Sequence, residues 1–103
     1  SDLNLINSFI EYPITYILDR DVVTINEFPV NPKEWAEKKG SHTTIDIKKE
    51  IHGYNGKTAN VISSGKRVKK DRTLIEEYSA FYAFKKIGSE WKMYAISQVI
   101  NND

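Results

Sequence analysis

The chain has no cysteine among its 103 residues. That one absence removes disulfides, thiolate metal ligands and cysteine nucleophiles together, and is in keeping with a reducing cytoplasm. Charge of one sign is lacking too. Fifteen Lys and Arg stand against 14 Asp and Glu, a formal charge of +1, which gives no general drive toward nucleic acid or membrane. No apolar run approaches the roughly 20 residues of a membrane-spanning helix. Glycine and proline are scarce, at 5 and 3 residues, and there is no glycine-rich phosphate loop, G-x-S-x-G or H-E-x-x-H. The 2 histidines have no convincing acidic partner, whereas zinc wants three or four protein ligands. No cofactor and no metal is expected. No repeat, low-complexity tract or linker divides the sequence, and its length suits a single domain over residues 1–103.

What the sequence does hold is strand signal. The stretch from Arg72 to Ile100 contains two long runs rich in aromatic and β-branched residues around Gly88-Ser89, a loop of hairpin composition. Tyr78, Ala80, Tyr82 and Phe84 share one parity, and Ser79, Phe81 and Ala83 the other. Both faces are apolar, which predicts a strand covered on both sides. In the return strand Trp91, Met93 and Ala95 alternate with Tyr94 and Ile96. This hairpin is the expected centre of an antiparallel sheet.

Ahead of it, Ser1 or Asp2 caps a predicted short helix with Leu5, Ile6, Phe9 and Ile10 as its apolar stripe. Pro13 pushes Tyr12 toward extended geometry, so that helix should end near Glu11. Ile14 to Leu18 and Val22 to Phe28 read as a hairpin turning at Asp19-Arg20-Asp21. The second helix is the best signalled. Asn31 is its N-cap, Pro32 its first residue and Glu34 completes the capping box, while Lys38, Lys39 and Gly40 close it. From His42 the pattern is strand, with Ile45, Ile47 and Ile51 on one side and Asp46, Lys48, Glu50 and His52 on the other. Asn55-Gly56 predicts a type I′ turn, and Thr58 to Val68 returns with Ala59, Val61 and Ser63 on one face. Each glycine has a turn, cap or strand-end explanation. Helices followed by a run of antiparallel strands predict an α+β fold: a curved, mostly antiparallel sheet, with a short hairpin plus four long strands, carrying two short helices on its concave face.

That order, with its local signatures, resembles the nuclear transport factor two-like superfamily, also described as a cystatin-like α+β cone. The carriers are Phe9-Ile10-Glu11-Tyr12-Pro13 leading into a strand, the capped helix from Asn31 to Lys39, and Ser41-His42 opening the long strands. Tyr78-Ser79-Ala80-Phe81-Tyr82 and the turn Gly88-Ser89-Glu90-Trp91-Lys92, similar to the family's G-x-x-W, complete them. The resemblance spans residues 2–100. It departs from the family's pattern at the start, because the long first helix that usually lies across the sheet is missing. Residues upstream of Ser1 or a second chain would then cover the sheet, and pairing through the sheet is common in this superfamily, so a homodimer is expected. A chain that starts at Ser1 without methionine leaves a removed leader open; the expected location is the cytoplasm.

Enzymes resembling this fold include ketosteroid isomerases, dehydratases and polyketide-cyclase-like proteins. They work from the cone with a carboxylate or histidine as proton shuttle, its pKa tuned by a dry pocket. The resemblance makes His42 and Asp19 (or Asp21) the catalytic candidates. Against it, a turn carboxylate is normally solvated, and a histidine at a strand end commonly meets water or a backbone carbonyl. Tyr12, Tyr16, Trp35, Tyr78, Tyr82 and Tyr94 form an aromatic set able to line an amphipathic pocket with His42 at its mouth; the competing reading is that they simply fill a small core. Lys66, Arg67, Lys69, Lys70 and Arg72 form a basic cluster without the interleaved aromatics that stack on bases. A solvated turn that discourages edge aggregation is the better reading, so nucleic acid is not an expected partner. The Q-x-V-x-G hairpin of cystatin-type inhibitors is absent. The expectation is a binding domain that holds a small apolar molecule or a partner segment, with an isomerase-, dehydratase- or cyclase-like enzyme as the alternative.

Overall fold

Three tight turns fix the registers of the sheet. At the last, Ile87 pairs with Glu90 around Gly88-Ser89, and Gly88 takes φ +62° as a two-residue hairpin loop requires. At the first, Asn55 N–H bonds to Thr58 O at 3.2 Å, so the loop residues are Gly56-Lys57 rather than Asn55-Gly56. Gly56 alone has positive φ there, the pattern of a type II′ turn and not of the predicted type I′. Asn55 acts through its side chain instead, accepting from the Lys57 and Thr58 N–H groups at 2.9 and 2.8 Å. Between these hairpins, Asp71 accepts from Thr73 N–H at 2.9 Å and Lys69 and Thr73 close the loop.

The computed structural model describes residues 3–18, 20–28 and 32–101. Its elements run α1 (Leu3–Ser8), β1 (Ile10–Leu18), β2 (Asp21–Ile25), α2 (Pro32–Lys39), β3 (Thr43–Tyr54), β4 (Thr58–Val68), β5 (Leu74–Ile87) and β6 (Glu90–Asn101). The six strands form one sheet in the order β2-β1-β6-β5-β4-β3, with the β5–β6 hairpin central as expected. Every neighbouring pair is antiparallel except β1 and β6. The α+β architecture with two short helices is as the sequence predicts. The proposed caps Ser1, Asp2 and Asn31, and the turn residue Asp19, lie outside the described residues. Pro32 opens α2 and Gly40 closes it at φ +73°. No helix among the described residues is long and apolar enough to cross a membrane.

Two local readings are corrected. Helix α1 stops at Ser8 instead of Glu11, because β6 captures the chain immediately afterwards: Met93 N–H donates to Phe9 O at 2.7 Å and Ile10 pairs with Met93. Ile10 is then buried at 5% exposure, whereas Leu5 and Phe9 of the predicted stripe stay 57% and 52% exposed. Strand pairing overrides a short helix that has little stability of its own. In β3 and β6, bulges reset the alternation. Ile45 pairs with Lys66 but Lys48 with Ser64, one extra residue, and Asp46 sits there at φ +52°. Ile45 therefore shares a face with Lys66 and Ile51 with Val61, the opposite one. In β6 the extra residue is Tyr94, which places Met93 on the face of Ile96.

Register defines the two faces. The inner face carries the row Val23, Tyr16, Ile96, Tyr82, Val61 and Ile51, and the outer face the row Val22, Ile17, Ser97, Phe81, Ile62 and Glu50. The core lies on the inner face, where Ile10, Ile14 and Ile96 pack with Ile6 of α1, Ile25, Phe28, Tyr12, Tyr16, Tyr82 and Met93. Burying one such isoleucine contributes about 1.5–3 kcal/mol.

Candidate functional site

On the inner face β5 sets Ala80 between Tyr78 and Tyr82, β4 sets Ser63 and Gly65 between Val61 and Arg67, and β6 carries Ile96, Gln98 and Ile100. A cavity of about 400 Å³ lies between the sheet and the two helices. Tyr16 of β1, Ile96, Gln98 and Ile100 of β6, Tyr82 of β5 and Arg67 of β4 form its floor. Ile6, Phe28, Trp35 and Ala36 form its roof, with Ser41, His42, Thr43 and Thr44 at one side. The strand order places the apolar groups over β1 and β6 and the polar ones over β4 and β3. With strands about 4.8 Å apart, Tyr16 and Arg67 are separated by three strand spacings, about 14 Å across the sheet, and the row of Tyr16 meets β4 at Val61, six residues along from Arg67.

At the polar end stands a charged cluster. Glu76 of β5 is fully buried, at 0% exposure. It accepts from Arg67 Nη1 at 2.8 Å and from Lys39 Nζ, the last residue of α2, at 3.4 Å. The Arg67 guanidinium lies over two rings, 4.7 Å from the centroid of Trp35 and 4.2 Å from that of Tyr78. Arginine suits this place because its flat, weakly hydrated head stacks on aromatic faces while its edge donates in plane. Gly65 makes room for the lower ring. A Cβ at Gly65 would meet Tyr78 Cε1 at 2.8 Å and Thr44 Cγ2 at 2.9 Å, so this glycine serves close packing within a strand, not a turn or strand end.

Of the residues singled out from sequence, Tyr16, Trp35, His42 and Tyr82 line this cavity together. Tyr78 lies beneath Arg67, beside the cavity rather than on its wall. Tyr12 donates its hydroxyl to Asn7 and packs on the core. Tyr94 lies under Lys85, whose Nζ is 5.3 Å from the ring centroid. His42 is exposed, and its backbone N–H bonds to Val68 O at 2.9 Å. His52 meets Glu50 at 2.9 Å on the exposed part of β3. Asp21 is exposed, and Asp19 lies outside the described residues. Burial raises the Tyr82 hydroxyl above the usual tyrosine range, helped by Tyr78 and Tyr16 and opposed by Arg67. Tyr82 is thus a neutral hydrogen-bond donor at physiological pH.

The Arg67–Glu76 pair is what sequence reading missed. The sequence pattern groups Arg67 with Lys66, Lys69, Lys70 and Arg72 as a solvated turn, but the strand separates them. Lys66 points outward to Asp46 at 3.5 Å, and Lys69, Lys70 and Arg72 are exposed at the turn. The signal was present: the face of Ala59, Val61 and Ser63, continued by two steps of two, reaches Gly65 and Arg67.

No protein-family model and no curated protein matches the chain in sequence. Solved structures do match. A variant of a protein named Rd1NTF2_05 superposes with a TM-score of 0.67 at 13% identity, over 95% of this chain and 82% of its own. An NTF2-like protein of unknown function from Shewanella baltica OS155 superposes with a TM-score of 0.61 at 10% identity, over 99% of this chain and 80% of its own. At such identities the likeness is one of fold, and it agrees with the helix and strand order described above: the chain adopts the NTF2-like fold.

Proposed function

We propose that this chain is a single non-catalytic binding domain that holds a small, largely apolar molecule in its inner-face cavity and pairs with a second copy through its outer face. The observation that carries the reading is the cavity itself. Its volume of about 400 Å³ falls within the ~300–1,000 Å³ of small-molecule sites, and a mostly aromatic and aliphatic wall with a few convergent polar groups is what such sites share. The outer row supports pairing. Val22 and Ile17 are 68% and 37% exposed, Val99 is 59% exposed on the same face, and the charged Lys66, Glu77, Lys85 and Lys92 stand toward the ends of its central strands. An apolar patch of this kind marks a protein contact.

Native mass spectrometry of the untagged chain tests both parts. The expected result is a dimer carrying a small-molecule mass that is released on denaturation. A monomer with no added mass at any concentration would overturn the proposal. One observation favours the enzymatic alternative, an isomerase-, dehydratase- or cyclase-like activity. His42 and the neutral Tyr82 hydroxyl line one cavity, a base and an oxyanion donor facing one space. If it holds, His42→Ala abolishes turnover while the fold survives; an unchanged rate removes it.

A further inference from the structure

The cavity has a charge as well as a shape. Among the described residues its wall contains Arg67 and His42 but no aspartate or glutamate. Glu76, the acid bonded to Arg67, is fully buried and answers two cations, Arg67 and Lys39. One carboxylate between two permanent positive charges leaves the polar end of the cavity with a surplus of one. Lys39 is 42% exposed and its ammonium is met by water, whereas Arg67 is only 17% exposed. The unmet part of the charge therefore belongs to the guanidinium. Among the described residues Glu76 alone accepts a hydrogen bond from Arg67, through Nη1, and an arginine head has five N–H donors. The two rings and Glu76 hold the guanidinium, so its remaining donors are positioned before anything binds. Thr44, which pairs with Arg67 across the strands, and Ser41 bring hydroxyls to the same end.

We infer that the cavity selects a monoanionic amphipathic ligand, a carboxylate on an aromatic or alicyclic body, with the carboxylate on Arg67 and the body lying toward Tyr16, Phe28 and Ile96. This rests on the binding role proposed above and names its ligand class. Oxygen acceptors of a carboxylate match the arginine edge, and a charge-assisted bond in a site sheltered from water outweighs its neutral counterpart. A cation is disfavoured by the same surplus.

The test uses three probes of one shape, 2-naphthoate, 2-naphthamide and 2-naphthylmethylammonium, titrated into the full chain and read by calorimetry and by Trp35 fluorescence. The expected result is that naphthoate binds about tenfold or more tighter than the amide, with the ammonium weakest. Arg67→Met should bring naphthoate to the level of the amide, and Lys66→Met, one residue away on the outer face, should leave the ratio unchanged. Because Arg67→Met strands Glu76, the double variant Arg67→Met/Glu76→Leu, in which apolar groups replace both charges, serves as the second reading. Equal binding of all three probes overturns the charge inference and leaves the binding role standing. Binding of none overturns both. A preference for naphthoate that survives the double variant but is lost in Lys66→Met places the anion on the surface and overturns the inference.

Discussion

Across the inner face the paired side chains run Val23, Tyr16, Ile96, Tyr82 and Val61; across the outer face, one residue out of step, they run Val22, Ile17, Ser97, Phe81 and Ile62. The same strands thus make two surfaces with different properties. Inner residues are large where they meet the helices, Gly65 leaves room for the Tyr78 ring, and one arginine lies over that ring, held by a buried carboxylate. Outer residues are flatter, with serine and alanine between single apolar groups, and their charges remain in water. Arg67 and Lys66 show the contrast most sharply. They are adjacent in sequence, yet Arg67 lies over two rings with little exposure while Lys66 makes ion pairs at 3.5 and 4.0 Å with Asp46 and Glu77, both exposed or partly so. Parity alone decides which becomes part of a site.

The contrast is open to attack by substitution. The largest effect is expected at Glu76. Glu76→Ala leaves Arg67 without its partner in a sheltered place and should destabilise by about 3–5 kcal/mol, whereas Lys66→Ala should cost under about 1 kcal/mol; urea denaturation of both variants measures the gap. Next is the apolar pair. Ile14 is fully buried and Ile51 is 71% exposed, so Ile14→Ala should cost about 2–5 kcal/mol and Ile51→Ala within about 0.5 kcal/mol. Gly65→Ala comes third. Its methyl group would press on the Tyr78 ring and Thr44, an overpacking worth about 1–3 kcal/mol, and should loosen Arg67 enough to weaken naphthoate binding.

How far these effects were legible in the sequence follows from the same alternation. The central hairpin, the capped α2 and the aromatic residues Tyr16, Trp35 and Tyr82 could be placed because their patterns are local. The exposure of Ile51 could not, since it stands on the inner face but on β3, the edge strand paired with β4 alone, and the spacing of β3 does not record that position. The role of Glu76 could not be read from composition either. A carboxylate next to Glu77 in a charged stretch looks solvated until β4 and α2 supply Arg67 and Lys39. Burial by distant elements is not written in the spacing of a single strand.

Smaller effects sharpen the comparison further. Phe81→Glu puts a charge in the middle of the outer row and should convert the proposed dimer to a monomer, measured by sedimentation, with the strand signal in circular dichroism unchanged. The inner face should respond to alkali through Tyr82. Burial raises its pKa above that of an unfolded tyrosine, so the folded state favours the neutral hydroxyl. Its contribution to stability is full below about pH 10 and declines as pH rises toward the folded value. Tyr82→Phe should flatten that part of the stability curve, whereas Tyr54→Phe, at an exposed position, should not.

The most direct test of the account is an amide and indole NMR spectrum of the chain titrated with 2-naphthoate. If the roofed end of the inner face is the binding site, shifts will concentrate at the Trp35 indole, Arg67, Thr44, Tyr82 and Ile96, while Ile17, Ile62 and Phe81 stay still. Shifts centred on the outer row, or none at saturating probe, would contradict it.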